Sequence, residues 1–354
     1  MLKNIITAAS FLIMFSSQAS ADTVKDELQN LYIVIDKEYV GDFDAEKFTE
    51  AAVSGLSSID SDIKITKMPK NLYFYHKEEV IKIFPKPQDK ANLQEWIDLS
   101  ARVEEFAFSI SPKLQLKDFM IFDSMAESAF KSLDEYSKYY PSLEDADNIK
   151  IKRYFGSRLI DNVLYVKIKT FNKLTYKKLK DELTKNRSAK GLILDLRGNR
   201  GGLLSEALNI ADLFLEKGNV IVSIKTKNDD SAHLYTAKKP DFWKDKPVVL
   251  LVDGDTASSA ELLTAALKEQ GRAKVVGTGT FGKGTVQNLK IIDEDRGFAL
   301  TNAFFFTPSD TPINKHGIEP DFCVVPTKGL CPQQNRETIN DDIDEAMQII
   351  KQYL

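Results

Sequence analysis

The segment KPVVLLVDGDTASSAELLTAALKEQGRAKVVGTG, residues 246–279, decides the fold class of this chain. A continuous apolar run from Val248 to Val252 is typical of a buried strand, and the apolar residues from about Ser258 to Gln270 recur at helical spacing. A second apolar run begins at about Ala273. Strands that alternate with helices imply crossover units, and therefore a mainly parallel sheet covered by helices on both faces.

The same alternation continues through residues 146–326, which we predict to form one α/β domain. Its further strands are VLYVKIKTF, GLILDLRG and NVIVSIKT, at residues 163–171, 191–198 and 219–226, and LLSEALNIADLFLEKG, residues 203–218, is a predicted helix. Residues 22–145 are predicted to be a mainly helical N-terminal region, with a hairpin or pair of strands from Leu72 to Phe84. Residues 327–354 form a C-terminal segment that ends in a helix from about Asp342.

The first 21 residues have the order of a cleavable secretory signal. Lys3 precedes an apolar run, and the small residues Ala19-Ser20-Ala21 follow it. We predict cleavage after Ala21 and export to the periplasm; an N-terminal core helix is the alternative. No later apolar segment is long enough for a membrane helix, so we expect no integral membrane segment after signal removal.

Composition excludes several classes of partner and cofactor. The net charge is −4 and the basic residues are scattered, so nucleic acid is not an expected partner. The histidines His76, His233 and His316 are far apart in sequence and have no cysteine clusters beside them, so we expect no metal and no other cofactor. Cys323 and Cys331 lie close together in an exported chain, which predicts a disulfide rather than two free thiols.

The loop GTGTFGKGTVQ, residues 277–287, allows two interpretations. It reproduces most of a phosphate-binding P-loop, but Gly284 stands where that motif requires the magnesium-binding hydroxyl. A nucleotide hydrolase is therefore one hypothesis, and the predicted export from the cytoplasm weakens it. The other hypothesis gives Lys283 a role in catalysis.

Chain geometry brings Lys283 towards Ser258. Catalytic groups in an open α/β sheet collect outside the carboxyl ends of the strands. The helix that begins near Ser258 runs back about 20 Å, and the following strand returns a similar distance at ~3.3 Å per residue. A serine at a helix N-terminus is usually only a cap, but a serine paired with a neutral lysine is a known variant of the serine–histidine pair.

The surroundings of Lys283 predict how its amine would be kept neutral. Burial away from carboxylates lowers the pKa of a lysine. The residues around Lys283 in sequence include no acid, and Phe281 is available to cover the amine. Gln287, four residues later, is either a group that orients the lysine or a solvated polar residue. Gly201 and Gly202, in the turn GNRGG, leave backbone N–H groups open to a ligand.

Five blocks of this sequence together resemble the carboxyl-terminal processing peptidases, the tail-specific serine proteases with a Ser-Lys dyad (family S41). They are LDEYSKYY at 133–140, LDLRGNRGG at 194–202, DTASSAELL at 255–263, GTGTFGKGTVQ at 277–287 and FFFTPSDTPINKHGIEPD at 304–321. Their order is that of the family. The resemblance implies a ClpP/crotonase-like α/β core, protein or peptide substrates, and no cofactor.

The resemblance also assigns roles to residues. It implies Ser258 as nucleophile, Lys283 as general base and Gln287 as the residue that orients the lysine. It implies an oxyanion hole made by the N–H of Ser259 and the N–H of Gly201 or Gly202. The adjacent Ser259 hydroxyl is a rival nucleophile, because the serines of this block are adjacent here where the family alternates them.

One departure from the family concerns substrate selection. Most members carry a PDZ domain of about ninety residues after the LDEYSKYY-like block, within the usual domain range, and only residues 141–163 are available here. Selection then falls to the N-terminal helices, to an adaptor or to the catalytic groove, and the N-terminal helices are candidates for a homodimer interface. We expect a periplasmic serine endopeptidase. The alternative is a catalytically silent module of the same fold that binds peptides or apolar ligands.

Overall fold

Two compact units make up the chain, and they interleave along the sequence. The N-terminal unit contains residues 1–149 and 287–302, and the α/β unit contains residues 150–286 and 303–354. The computed structural model describes residues 24–143, 154–227, 229–324 and 342–352. The predicted signal, residues 1–21, lies outside the described residues. Within them, no helix has the length and apolar character needed to cross a membrane.

Five helices and a small antiparallel sheet form the described part of the N-terminal unit before residue 143. The helices are α1 (Val24–Glu38), α2 (Ala45–Ser54), α3 (Leu93–Ile110), α4 (Pro112–Leu116) and α5 (Ile121–Phe130). The strands are β1 (Ile63–Lys67), β2 (Asn71–His76), β3 (Glu79–Pro85) and β4 (Lys138–Tyr140). The predicted hairpin is therefore present as β2 and β3, and β1 pairs with β2 to complete a three-stranded sheet.

A six-stranded sheet forms the centre of the α/β unit, in the order β14-β11-β10-β7-β6-β5. Its strands are β5 (Phe155–Ile160), β6 (Val163–Ile168), β7 (Gly191–Asp195), β10 (Val248–Val252), β11 (Lys274–Gly277) and β14 (Phe322–Cys323). All neighbours in this sheet are parallel except the edge pair β5 and β6. The predicted mainly parallel sheet is thus present.

Helices cover both faces of this sheet: α6 (Thr175–Lys185), α7 (Leu204–Ala211), α8 (Ser259–Glu269) and α9 (Asp342–Gln352). The strand β10 shows why its sequence is apolar without interruption. Val248, Leu250 and Val252 belong to the large cluster that includes residues of α6, α7 and α8, whereas Val249 and Leu251 pack in a second cluster with residues of α9. All five residues are buried, because a strand covered on both faces has no solvent side.

The remaining strands are β8 (Val220–Thr226), β9 (Asp229–Thr236), β12 (Thr285–Ile291) and β13 (Gly297–Phe306). In the α/β unit, β8 pairs with β9 and with residues 303–306 of β13. In the N-terminal unit, residues 297–299 of β13 pair with β4. The predicted helix at 203–218 is shorter than expected, since α7 ends at Ala211 and 3₁₀-like turns follow it.

Candidate active site

Ser258 occupies a strained turn between β10 and α8. It stands at the N-cap position of α8, but its backbone has φ 57° and ψ −124°. Ordinary N-cap residues are extended, and a positive φ is costly for a residue with a side chain. Such strain is typical of the strand–turn–helix elbow that presents a nucleophilic serine. The side chain is half-buried at the positive end of α8.

Glu261 connects this elbow to the lysine loop. Its carboxylate is fully buried and accepts hydrogen bonds from the Ser258 N–H at 2.8 Å, the Gly282 N–H at 2.6 Å and the Lys283 N–H at 2.8 Å. The Thr280 hydroxyl donates a fourth bond at 2.5 Å. One side chain therefore holds the backbone of both predicted dyad residues.

Burial and hydrogen bonding act in opposite directions on Glu261. Desolvation raises the pKa of its carboxyl, and the bonds from Thr280 and from the backbone N–H groups of Gly282, Ser258 and Lys283 partly offset that rise. The residues next to Lys283 in sequence include no acid, but the fold brings Glu261 to the backbone of Lys283. The missed signal was the spacing Ser258-x-x-Glu261, which is that of a capping box.

Lys283 lies half-buried in a loop held by the chain segment after β13. The Lys315 N–H donates to the Gly282 carbonyl at 2.8 Å. A Cβ at Gly284 would lie 2.1 Å from the Asn314 backbone nitrogen, so only glycine fits there. Phe281 is 54% exposed, and its role as a cover for the amine stays a prediction.

The lysine loop leads into a strand, and this distinguishes it from a P-loop. Residues 285–291 form the strand β12, whereas the P-loop holds phosphates at the N-terminus of a helix. The nucleotide hypothesis thus lacks the element that would bind the phosphates.

The turn 198–202 packs directly against the serine elbow. A Cβ at Gly201 would lie 3.0 Å from the Ser258 Cβ and 3.1 Å from the Ser259 nitrogen. The Gly201 N–H donates to Asn199 Oδ1 at 2.9 Å, and the Ser259 hydroxyl donates to the Gly202 carbonyl at 3.0 Å. The structure therefore brings Gly201, Gly202, Ser258 and Ser259 together.

Asp195, at the end of β7, anchors this turn to the sheet. Its buried carboxylate bonds to the Arg197 guanidinium, the Lys167 ammonium at 2.8 Å and the Tyr165 hydroxyl at 2.6 Å. Burial alone would raise the pKa of Asp195, but Arg197 and Lys167 hold it below its usual range. Farther along, the Gly198 N–H donates to Asp253, which joins the turn to the loop before Ser258.

Two other predicted site residues lie on strands. Gln287 is the third residue of β12, among the residues that belong to the N-terminal unit, and its amide donates to Thr301 Oγ1 at 3.2 Å. Cys323 is buried on β14. Cys331 lies outside the described residues, so the disulfide stays a prediction.

One group in the N-terminal unit has the composition of a metal site. Ligand atoms of Asp60, Asp62 and His76 lie within 4.8 Å of one another. The ammonium of Lys113 lies 2.8 Å from Asp60 Oδ1 and 3.3 Å from Asp62 Oδ2. This cation already forms an ion pair with each of the two carboxylates.

Comparison with known proteins finds similarity to one peptidase family. The model of peptidase family S41 matches residues 162–324. A carboxy-terminal-processing protease from Bartonella bacilliformis is 35% identical over 188 residues, which cover 51% of this chain and 42% of that protein. A CtpA-like serine protease from Staphylococcus aureus is 26% identical over 362 residues, covering 92% of this chain and 70% of that protein.

A solved structure with a similar fold is the photosystem II D1 C-terminal processing protease. Its TM-score is 0.55 at 17% identity, and the match covers 89% of this chain and 94% of that one. The comparisons confirm both the predicted family and the predicted α/β fold. The aligned part of the chain spans less than half the length of the Bartonella relative.

Proposed function

Because residues 162–324 belong to peptidase family S41, we propose that this chain is a serine endopeptidase that works through a Ser258–Lys283 dyad. The observation that carries the proposal is the strained elbow at Ser258, bonded through Glu261 to the backbone of Lys283. A simple helix cap would need neither the positive φ nor this link to a lysine loop.

The reaction is acyl transfer. Ser258 Oγ attacks the carbonyl carbon of a peptide bond while Lys283 Nζ accepts its proton, and the same proton passes to the leaving amine. Water then attacks the acyl-enzyme, gives a proton to Lys283, and Ser258 regains it. The N-terminus of α8 favours the negative charge that develops on the carbonyl oxygen.

The oxyanion hole is formed by the N–H groups of Ser259 and Gly202 in this proposal. Gly202 is favoured over Gly201 because the Gly201 N–H already donates to Asn199. The bond from the Ser259 hydroxyl to the Gly202 carbonyl supports this arrangement, since it holds the two backbones together. It also favours Ser258 as nucleophile, because the Ser259 hydroxyl is buried and engaged.

Lys283 must be neutral to act as a base, and Glu261 is the buried carboxyl group that bonds to its backbone N–H. A carboxylate offers about four lone-pair sites. Thr280 and Gly282 donate to one oxygen of Glu261, and Ser258 and Lys283 donate through backbone N–H groups to the other. The carboxylate is thus saturated by other donors. We assign the orientation of the lysine amine to Gln287, which the resemblance implies.

Substitution of the dyad tests the proposal. Ser258→Ala and Lys283→Ala should each lower kcat for an unfolded protein substrate by about 10³-fold or more, with unchanged circular dichroism. Ser259→Ala, which removes the rival hydroxyl and its bond to the Gly202 carbonyl, should lower kcat far less than either dyad substitution. Wild-type cleavage by either dyad variant would refute the assignment.

A fluorophosphonate probe separates the enzyme from the silent binding module. Labelling of the wild-type chain that disappears in Ser258→Ala indicates an activated serine. A chain that binds peptides but takes up no label would be the binding module.

We further propose that the enzyme acts in the periplasm on exported proteins after removal of residues 1–21, with cuts near C-termini where an adaptor or the N-terminal unit supplies the selection. Homodimer formation through the N-terminal unit is part of this proposal. Comparing new protein termini in cells that carry wild-type or Ser258→Ala enzyme tests it. Cuts spread evenly along substrates would exclude tail specificity.

A further inference from the structure

A small cavity in the α/β unit lies at the opposite end of the sheet from Ser258. Its volume is about 160 Å³, and it is lined by Arg187, Phe242, Trp243, Lys244 and Lys246. Arg187 and Lys246 precede the first residues of β7 and β10, whereas Ser258 follows the last residue of β10. At ~3.3 Å per residue, β10 alone separates the two places by about 15 Å. The cavity is therefore distinct from the peptidase site.

Positive charge dominates the lining of the cavity. Three of the five side chains are cationic and none is acidic. Lys246 Nζ lies 4.2 Å from the centre of the Trp243 ring, and the Arg187 guanidinium lies 4.9 Å from the centre of the Phe242 ring. The Lys246 ammonium also donates to the Arg187 carbonyl. Rings and a carbonyl position these two cations without neutralising them.

Carboxylates compensate this charge only weakly. Among the ion pairs of the described residues, Lys244–Glu216 is the one that involves a lining side chain, at 3.4 Å, and both partners are well exposed. Exposed pairs of this kind contribute little. Burial, and then the nearby Arg187 charge, lower the pKa of Lys246. The smaller part of this lowering comes from the Arg187 charge, and a bound anion would offset that part.

Two aromatic side chains, Phe242 and Trp243, complete the lining. Trp243 is 3% exposed, and its indole N–H has no hydrogen-bond partner among the described residues. The volume corresponds to about five water molecules at ~30 Å³ each, which matches a group of five heavy atoms. A tetrahedral oxyanion has that size.

We propose that this cavity binds a phosphate group, either free or in the headgroup of an anionic lipid. The three positive charges exceed the single negative charge of a carboxylate ligand. They suit an oxyanion with a higher negative charge. The planar guanidinium of Arg187 can bond two phosphate oxygens at once, and Lys246 supplies a compact second charge.

Calorimetric titration with inorganic phosphate tests the site. Wild-type protein should show saturable binding that Arg187→Gln weakens by about tenfold and that Arg187→Gln with Lys246→Gln abolishes. Lys64→Gln, an exposed lysine on β1, is the control with the same charge change as Arg187→Gln and should bind as the wild type does. Arg187 is exposed, so its substitution keeps the protein folded, and the melting temperature verifies this.

Vesicles distinguish the two sources of phosphate. A lipid headgroup is identified if the wild-type protein binds phosphatidylglycerol vesicles but not phosphatidylcholine vesicles. This binding should be lost in the double variant and kept in Lys64→Gln. If the protein binds inorganic phosphate but no vesicles, the ligand is the free phosphate ion. The proposal is overturned if neither ligand binds, or if Lys64→Gln weakens binding as much as the double variant does.

Discussion

At the residue scale, the backbone at Ser258 allows strain to be separated from chemistry. Its φ of 57° and ψ of −124° cost free energy with any side chain but not with glycine. We predict that the free energy of unfolding of Ser258→Gly is about 1 kcal/mol higher than that of Ser258→Ala. Neither variant should cleave substrate. Urea denaturation of the two proteins measures the difference. Equal stabilities would mean that the turn is relaxed.

The proximity of the Ser258 and Lys283 loops could be predicted from the sequence because topology, rather than fine geometry, brings these loops together. One helix and one strand separate Ser258 from Lys283, and such a unit returns the chain to the same sheet edge. Glu261 could not be found by inspecting the neighbours of Lys283. It approaches from the first turn of α8, and its burial depends on four donors drawn from two loops.

At the element scale, the turn 198–202 packs against the elbow at Ser258. Substitutions at two of its glycines test whether this close packing matters for catalysis. A Cβ at Gly201 would meet Ser258 Cβ at 3.0 Å, whereas a Cβ at Gly198 would meet nothing within 4 Å. Both residues have a positive φ, so alanine strains the backbone at either site. We predict that Gly201→Ala lowers kcat at least about tenfold, while Gly198→Ala lowers stability but keeps most of kcat. Similar kinetics for the two folded variants would contradict this role.

The helix α3 contains a carboxyl group that should make stability depend on pH. Glu104 is 9% exposed, and burial, with a smaller contribution from Glu105, raises its pKa to about 7. The protonated form is the one that the folded state favours. Its stabilising contribution is therefore complete below the unfolded pKa, about 4.5, and is lost as pH rises through about 7.

Substitution of Glu104 measures this contribution. Relative to Glu104→Gln, the wild-type free energy of unfolding should fall by about 3 kcal/mol between pH 4.5 and pH 8. Trp96, on the same helix, reports the transition by fluorescence in a Trp243→Phe background. Glu105→Gln is the control and should keep most of the pH dependence. Parallel pH profiles for wild type and Glu104→Gln would exclude the assignment.

Helices and strands could be predicted from the sequence where their burial leaves a clear apolar pattern. The strand β10 is apolar throughout because both of its faces are covered. The end of α7 was not predictable, since Leu213, Phe214 and Leu215 are buried and continue the apolar pattern after the helix has ended at Ala211. Periodicity shows what is buried, and turns can bury the same side chains.

At the scale of the whole molecule, pairing between distant residues decides the composition of the two units. Residues 287–302 belong to the N-terminal unit, where residues 297–299 pair with β4 at residues 138–140. A local pattern carries no information about a partner so far away in the sequence. The alternation of strands and helices predicts the α/β core. It does not predict which strand residues belong to the N-terminal unit instead.

The last prediction concerns the chain as the cell would process it. If residues 1–21 are an export signal, the mature protein begins at Asp22, and the oxidising periplasm joins Cys323 to Cys331. Intact-mass measurement of periplasmic protein should show the loss of these 21 residues and of two hydrogens, which return on reduction. Ala21→Leu should impair cleavage, because signal processing requires small residues there, while Ala101→Leu leaves it unchanged. A full-length chain with two alkylatable thiols would refute both the export and the disulfide.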